Sequence, residues 1–302
     1  MNNETKGTIF AFATALISGI SIPVNKFIVI NMDPTVFTAA RALIIGLVFL
    51  FLAWKSEKLT KNILKEQKWL YLLLIGLIGG GLAFLFYFNG LELTTSARGA
   101  FLHKTLPIYA TILAFIFLKE KIPKKQLFAL GIMFLGTIIL YADKITPSAL
   151  WSDPALGDLL VIFATILWAV ENTIAKKVMI KGESNFIVSA ARMFIGSLFL
   201  FLVTILFGKI YILFSLSISQ ILGLLTSTVI LFSYVYCWYS AVKLISLSKA
   251  ATILMISPVI SMILGILMFN EPTPIFQLGG SVLILLGGYI VSKVKSEFAG
   301  GV

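Results

Sequence analysis

Residues 34–54, PTVFTAARALIIGLVFLFLAW, form an apolar run of about twenty residues with one charged side chain, Arg41. At about 1.5 Å of rise per residue, a helix of this length crosses the hydrocarbon core of a bilayer. The strand of a transmembrane barrel would instead alternate apolar and polar residues over about ten positions. The run therefore predicts a transmembrane helix.

The rest of the chain has the same character. Of its 302 residues, 59% are hydrophobic and only 12% are charged, with a mean hydropathy of +1.01, whereas about a quarter of the residues of a soluble domain are charged. We therefore predict an all-α polytopic membrane protein. Its ten transmembrane helices are predicted at approximately residues 7–30, 34–54, 69–90, 97–118, 124–141, 157–180, 186–207, 218–240, 249–269 and 275–294.

The basic residues indicate an orientation in the membrane. In a soluble protein, the formal net charge of +11 would suggest a nucleic-acid partner, but here the lysines lie between apolar runs. If the N-terminus is cytoplasmic, most of the 24 basic residues fall in cytoplasmic segments. The pattern predicts a multi-pass protein of the cell (inner) membrane with both termini cytoplasmic, a retained first span and no nucleic-acid partner.

Several function classes lack their motifs. A single cysteine, Cys237, and a single histidine, His103, exclude an intrachain disulfide and disfavour a metal site. The chain has no nucleotide-binding motif and neither H-E-x-x-H nor G-x-S-x-G, so we expect no cofactor, no ATP coupling and no enzyme. An intramembrane enzyme is the rival class, and only Glu171 could assist His103 in it.

An internal repeat is the most informative feature. Five elements recur 151 residues later: Ala39-Ala40-Arg41 as Ala190-Ala191-Arg192, Pro107 as Pro258, Glu120 as Glu271, Gln126 as Gln277, and Gly136 as Gly287. With five spans in each half, the second half must be inserted upside down relative to the first. We predict two inverted five-helix repeats, residues 1–146 and 147–302, with the substrate site of a secondary transporter at their interface.

Each half resembles the EamA-type repeat of the drug/metabolite transporter superfamily. The resemblance rests on the arginine early in the second span, the proline inside the fourth, and the acidic residue that closes it, in Phe117-Leu118-Lys119-Glu120-Lys121 and Leu267-Met268-Phe269-Asn270-Glu271. Trp168-Ala169 is also typical, whereas Ser18-Gly19 stands where Trp-Gly is common. The resemblance implies a secondary metabolite transporter, often an exporter of amino acids or related compounds.

Three ionisable residues within spans have no counterpart in the other half and are candidate substrate ligands. Glu171 aligns with Ser21, and His103 and Lys104 align with Leu254 and Met255. Lys104 could bind the carboxylate of an amino acid while Glu171 binds its ammonium group. The alternatives are a direct Lys104–Glu171 ion pair, or a Lys104 side chain that extends outward along the helix.

Glu171 is also the candidate proton-coupling residue, because a carboxylate can exchange a proton as access to it alternates. His103 could relay protons, or it could be a packed side chain with one hydrogen bond. The aromatic residues Trp168, Tyr87 and Tyr234 are predicted to line the substrate pathway, and an interfacial aromatic belt is the alternative.

Symmetric residues have two interpretations each. Pro107 and Pro258 lie mid-span and predict helix kinks that either line the pathway or serve packing.

The equivalent charged residues also have two interpretations. Arg41 and Glu271 are predicted at one membrane face, and Arg192 and Glu120 at the other, so each pair could form an ion pair between the repeats that opens and closes. In the favoured alternative, each glutamate caps the N-terminus of the helix that follows it in the sequence.

These observations predict a secondary transporter of amino acids or related compounds, with export favoured, working by alternating access. The alternative within transport is efflux of lipophilic or cationic compounds. Dependence of transport on Lys104 would separate the two, because its charge attracts a carboxylate and repels a cation. Protons are the candidate coupling ion, and the duplication is compatible with a monomer or a homodimer.

Overall fold

The computed structural model describes residues 1–28, 32–57, 68–143, 156–269 and 274–298. Within these ranges, nine helices are long and apolar enough to cross a membrane. The first helix, Asn3–Ile28, adds a span of 26 residues. The predicted all-α architecture of ten transmembrane helices is therefore confirmed.

The helices begin and end close to the predicted boundaries, and we number the spans one to ten. Their bounds are Asn3–Ile28, Pro34–Glu57, Lys68–Glu92, Ser96–His103 with Leu106–Phe117, Lys124–Tyr141, Leu156–Ile180, Asn185–Leu206, Ile218–Leu244, Leu247–Leu254 with Ser257–Phe269, and Ile275–Ser292. We call the side that holds Asn3 and Ser292 the terminal face and the side that holds Pro34 and Ile275 the distal face.

Spans four and nine are each interrupted at mid-depth, at equivalent positions. The breaks fall at residues 104–105 and 255–256, again 151 residues apart, and Pro107 and Pro258 are the second residues of the helices that resume. Proline has no N–H and cannot continue the hydrogen-bonding pattern of the preceding turn. Spans three and seven contain π-helical turns at Ile75–Leu82 and Ala191–Ile195.

The packing of the spans follows the duplication. Span one packs against spans eight and nine, and its counterpart, span six, packs against spans three and four. Span two packs against its own counterpart, span seven, and span five packs against span ten. Two inverted five-helix repeats therefore interlock across one interface. The predicted division between residues 146 and 147 lies outside the described residues.

A short β-pairing lies at the terminal face. Glu120–Lys121, directly after span four, pairs antiparallel with Glu297–Phe298, with Glu120 opposite Phe298. The described part of the C-terminal segment therefore returns to the end of span four and ties the two repeats together at this face.

Glycines allow the closest helix contacts. A Cβ on Gly80 of span three would overlap the carbonyl oxygen of Arg192, and one on Gly196 of span seven would lie 2.4 Å from the carbonyl carbon of Gly80. In spans five and ten, a Cβ on Gly136 or on Gly280 would lie 2.6 Å from the other's carbonyl oxygen. Small residues of this kind let helix backbones approach in the absence of a hydrophobic driving force.

Replacing Gly80 with alanine should lower the melting temperature of the detergent-purified protein, because overpacking a close contact costs about 1–3 kcal/mol. Gly131→Ala is the matched control, since a Cβ there would meet no atom within 4 Å. Alanine forms helix better than glycine, so the control should keep or raise the melting temperature. Equal losses in both variants would contradict the assigned packing.

Candidate functional site

A cavity of about 380 Å³ lies between the two repeats and is walled by residues of both. It extends from Pro34 and Leu91, near the distal face, to Trp168 and Arg192, near mid-depth. This volume lies in the range of small-molecule sites, about 300–1,000 Å³. We call it the central cavity.

Basic side chains dominate the charge of the central cavity. Arg41, Lys104 and Arg192 all line it, and no described lining residue is a carboxylate. Arg41 donates from Nη1 to the hydroxyl of Ser227 at 3.1 Å, and Lys104 donates from Nζ to the hydroxyl of Ser257 at 2.8 Å. Hydroxyl groups hold these cations without neutralising them. Among the described residues, no cluster of His, Cys, Asp and Glu could hold a metal ion.

Aromatic rings form one wall of the cavity, with Trp168 at their centre. The Trp168 ring lies 5.4 Å from Phe84, 5.2 Å from Tyr87 and 5.1 Å from His103, measured between ring centroids. Its Nε1 donates to the carbonyl oxygen of Gly79 at 3.0 Å, which fixes the orientation of the ring. The structure therefore places Trp168, Tyr87 and His103, and also Tyr234, on the cavity.

Glu171 lies behind the cavity wall and does not line it. Its side chain is fully buried; it accepts a hydrogen bond from the hydroxyl of Tyr239, and its Oε2 lies 3.6 Å from Nη1 of Arg192. Arg192 also donates to Tyr239 at 3.2 Å. Gly79 leaves room for the carboxylate, because a Cβ there would overlap it. We call Glu171, Arg192 and Tyr239 the buried triad.

The buried triad corrects two expectations. The direct Lys104–Glu171 pair is not formed, because the ammonium group is bound to Ser257 and the carboxylate faces spans seven and eight. Glu171, which we predicted to contact the substrate, does not line the central cavity, whereas Lys104 does. Depth along the spans could have found the correct pair, since Glu171 and Arg192 both lie on the terminal side of their span midpoints.

Glu120 makes the contacts of a helix cap, but with span nine of the other repeat and not with span five, the helix that follows it. Its carboxylate accepts from the backbone N–H groups of Leu247 at 2.7 Å and Ser248 at 3.1 Å, at the start of span nine. The N-terminus of a helix carries partial positive charge and unpaired N–H groups, so a carboxylate is favoured there. The alternative Arg192–Glu120 tie is not formed in this structure, because Arg192 is engaged by Glu171. Glu271, and with it the Arg41–Glu271 pair, lies outside the described residues.

Two lysines near span ends, Lys176 and Lys249, are buried at the terminal face. Lys176 donates to the carbonyl oxygens of Val242 at 2.6 Å and Ile245 at 2.9 Å, at the end of span eight. Lys249 donates to the carbonyl oxygen of Val294 at 2.6 Å, after span ten, and to the Glu4 carboxylate at 2.7 Å. The last carbonyls of a helix lack N–H partners and carry partial negative charge. These ammonium groups therefore help to seal the terminal face.

Near the distal face, an ion pair joins the two repeats. Nζ of Lys209 donates to Asp33 at 2.7 Å, and Asp33 also caps span two through the N–H groups of Thr35 and Val36. Partial burial of Asp33 opposes ionisation, but the hydrogen bonds and the charge of Lys209 outweigh it and lower the pKa of the carboxyl. The hydrogen bond to Asp33 in turn raises the pKa of Lys209.

Comparison with known proteins agrees with this geometry. The model of the EamA-like transporter family matches residues 5–142 and again residues 155–293. Curated relatives include the uncharacterized transporter YyaM of Bacillus subtilis, 25% identical over 93% of this chain and 91% of its own. An uncharacterized transporter of Clostridium kluyveri is 24% identical over 94% and 92%.

A crystal structure of another protein has the same fold. It matches with a TM-score of 0.77 at 17% identity, covering 94% of this chain and 96% of its own. At this identity the likeness concerns the fold alone.

The carbonyl contacts of Lys176 predict a loss of stability when its charge is removed. Lys176→Met should lower the melting temperature, because each buried polar group left unsatisfied costs about 1–3 kcal/mol. The next residue, Lys177, is exposed and supplies the control, Lys177→Met, which should melt within a degree or two of wild type, since surface substitutions change stability by about 0.5 kcal/mol or less. Equal effects at the two positions would contradict the stabilising role assigned to the carbonyl contacts of Lys176.

Proposed function

Because the chain belongs to the EamA-like transporter family, we propose that it is a secondary transporter for a small carboxylate-bearing metabolite, an amino acid or a related compound. The substrate occupies the central cavity, and access to it alternates between the two faces as the repeats exchange conformations. The mid-span breaks of spans four and nine, equivalent in the two halves, supply the bending points for that exchange.

One observation carries the proposal: two buried cations of the central cavity, Arg41 and Lys104, have no acidic partner among the described residues. Arg41 and Lys104 are 7% and 5% exposed, and hydroxyl groups are the hydrogen-bond partners of both. A buried charge without a counter-charge is costly in the low-dielectric interior of a membrane protein. A substrate carboxylate would supply the missing negative charge, and its binding would gain charge-assisted hydrogen bonds.

The aromatic wall supports a substrate with an apolar or aromatic body. Trp168 and Tyr87 offer ring faces to such a group, and the same faces attract the ammonium group of an amino acid. Efflux of lipophilic cations is less well supported, because Arg41, Lys104 and Arg192 repel a cation in the cavity. We do not propose an enzyme, since His103 is packed against aromatic rings and Glu171 lies behind the wall.

Charge distribution supports an orientation of the protein in the membrane. Basic residues cluster in the segments of the terminal face, so the positive-inside rule makes that face, and both termini, cytoplasmic in the cell membrane. The sealed face is then the cytoplasmic one, and the central cavity extends towards the outside. An exporter in this state has its binding site on the release side.

Glu171 is the proposed coupling site for protons. Arg192 lies between the central cavity and Glu171, since it lines the cavity and pairs with the carboxylate. Glu171 Oε2 has no hydrogen-bond partner among the described residues. A substrate carboxylate that draws Arg192 towards the cavity would weaken this pair and favour protonation of Glu171. Substrate and proton movement would thereby be linked.

Uptake of labelled amino acids into proteoliposomes, with and without an imposed pH gradient, tests the proposal. In the wild type, the gradient should accelerate transport of at least one amino acid. Glu171→Gln should abolish the acceleration by the gradient, because glutamine cannot exchange a proton. Glu92→Gln is the control, since Glu92 is exposed at the end of span three.

Two outcomes contradict the proposal at different levels. A Glu171→Gln variant that responds to the gradient like the wild type would remove Glu171 from coupling and leave transport intact. Failure of the wild type to move any amino acid, with transport of the lipophilic cation tetraphenylphosphonium instead, would overturn the substrate class.

Lys104 distinguishes the two substrate classes directly. Lys104→Gln should reduce amino-acid transport by roughly tenfold or more, because a hydrogen bond to a charged group contributes about 1.5–3 kcal/mol. The same variant should leave tetraphenylphosphonium transport unchanged or increase it. Lys125→Gln, an exposed lysine, controls for general loss of charge. Equal losses for amino acid and cation would show that Lys104 is structural.

A further inference from the structure

The internal duplication supplies two equivalent arginines in different surroundings. Arg41 and Arg192 stand 151 residues apart, and both line the central cavity. Nη1 of Arg192 lies 3.6 Å from Oε2 of Glu171 and donates a hydrogen bond to the Tyr239 hydroxyl at 3.2 Å. The second repeat therefore shows what surrounds this arginine when its charge is balanced by the protein.

The first repeat lacks both of these partners. The position equivalent to Glu171 is Ser21, at an offset of 150, and the position equivalent to Tyr239 is Phe88, at an offset of 151. Ser21 and Phe88 both line the central cavity together with Arg41. The positions equivalent to Glu171 and Tyr239 therefore lie on the wall of the cavity in the first repeat.

The guanidinium group of Arg41 is buried and only partly hydrogen-bonded within the described residues. It is 7% exposed, its guanidinium carbon lies 4.8 Å from the centre of the Phe37 ring, and its Nη1 donates to Ser227. Its Nε has no hydrogen-bond partner among the described residues. A buried guanidinium with a free donor is suited to bind a carboxylate through two parallel hydrogen bonds.

We propose that Arg41 is the carboxylate subsite of the central cavity, and that the substrate's carboxylate takes, beside Arg41, the place that Glu171 takes beside Arg192. The inference rests on the proposed function and specifies how the substrate is oriented. Lys104 has Met255 as its repeat counterpart, so no internal acid marks a carboxylate position beside it. Lys104 adds positive charge to the cavity, and Arg41 fixes the position of the anion.

Restoring the missing acid tests this assignment. Ser21→Glu supplies the side chain that the second repeat carries, so it should pair with Arg41 and compete with the substrate. Ser21→Gln is the matched control, with nearly the same size and no charge. In the absence of ligand, Ser21→Glu should melt at a higher temperature than Ser21→Gln, because a new ion pair replaces an unbalanced charge; this comparison also confirms that the variant folds.

Ligand binding is measured by the shift of melting temperature with two pairs of probes. They are 3-phenylpropanoate with 3-phenylpropanamide, and L-phenylalanine with L-phenylalaninamide, in a buffer free of carboxylates. In the wild type, each acid should bind more tightly than its amide, and Ser21→Gln measures how much a side chain of this size weakens binding without adding a charge. In Ser21→Glu, the affinity for both acids should be lower than in Ser21→Gln by about tenfold or more, the loss expected for a charge-assisted hydrogen bond.

The results separate this inference from the proposed function. If Ser21→Glu binds the acids as tightly as Ser21→Gln, Arg41 is not the carboxylate subsite, although amino-acid transport can still stand. If the wild type shows no preference for acids over amides, the subsite is also overturned. If the wild type transports no amino acid in proteoliposomes, that separate outcome refutes the proposed function itself.

Discussion

The ion pair between Glu171 and Arg192 is the interaction on which the middle of this protein depends. A carboxylate within a membrane must be satisfied by other protein groups, since lipid offers no hydrogen bonds. Span six contributes Glu171, span seven Arg192 and span eight Tyr239, while Gly79 of span three leaves the necessary space. Four spans are thereby joined at one point, which is also the floor of the central cavity.

The two faces of the molecule are held by different contacts. At the terminal face, Lys176 and Lys249 bind carbonyl oxygens at helix ends, and Glu120 binds N–H groups at a helix start. Each contact satisfies a backbone group that the helix itself leaves unpaired. Near the distal face, the central cavity separates the repeats, and the Asp33–Lys209 pair bridges them at its edge. The two repeats are related by symmetry, but these contacts are not. The terminal face is therefore the closed side, and the cavity extends towards the distal face.

Much of the fold was predictable because its causes are local in the sequence. Apolar runs of about twenty residues locate the spans, since only a helix of that length satisfies its own backbone across a bilayer. A constant offset between the halves, with five spans in each, implies inverted repeats, and the spans pack accordingly. The cavity residues Lys104, His103, Trp168, Tyr87 and Tyr234 were predicted from their depth and chemistry.

What the sequence by itself determined is therefore the number of spans, their depth in the bilayer and the two-fold relation of the halves. Within the described part of the chain, only the tertiary structure decided that Glu171 turns away from Lys104 towards Arg192, that no carboxylate pairs with Arg41, and that Lys176 and Lys249 are buried. The reason is geometric. Apolar length sets the depth of a residue, but its partner depends on the rotation of each helix about its axis. Successive side chains point about 100° apart, so helix packing alone selects the neighbour that each charge meets.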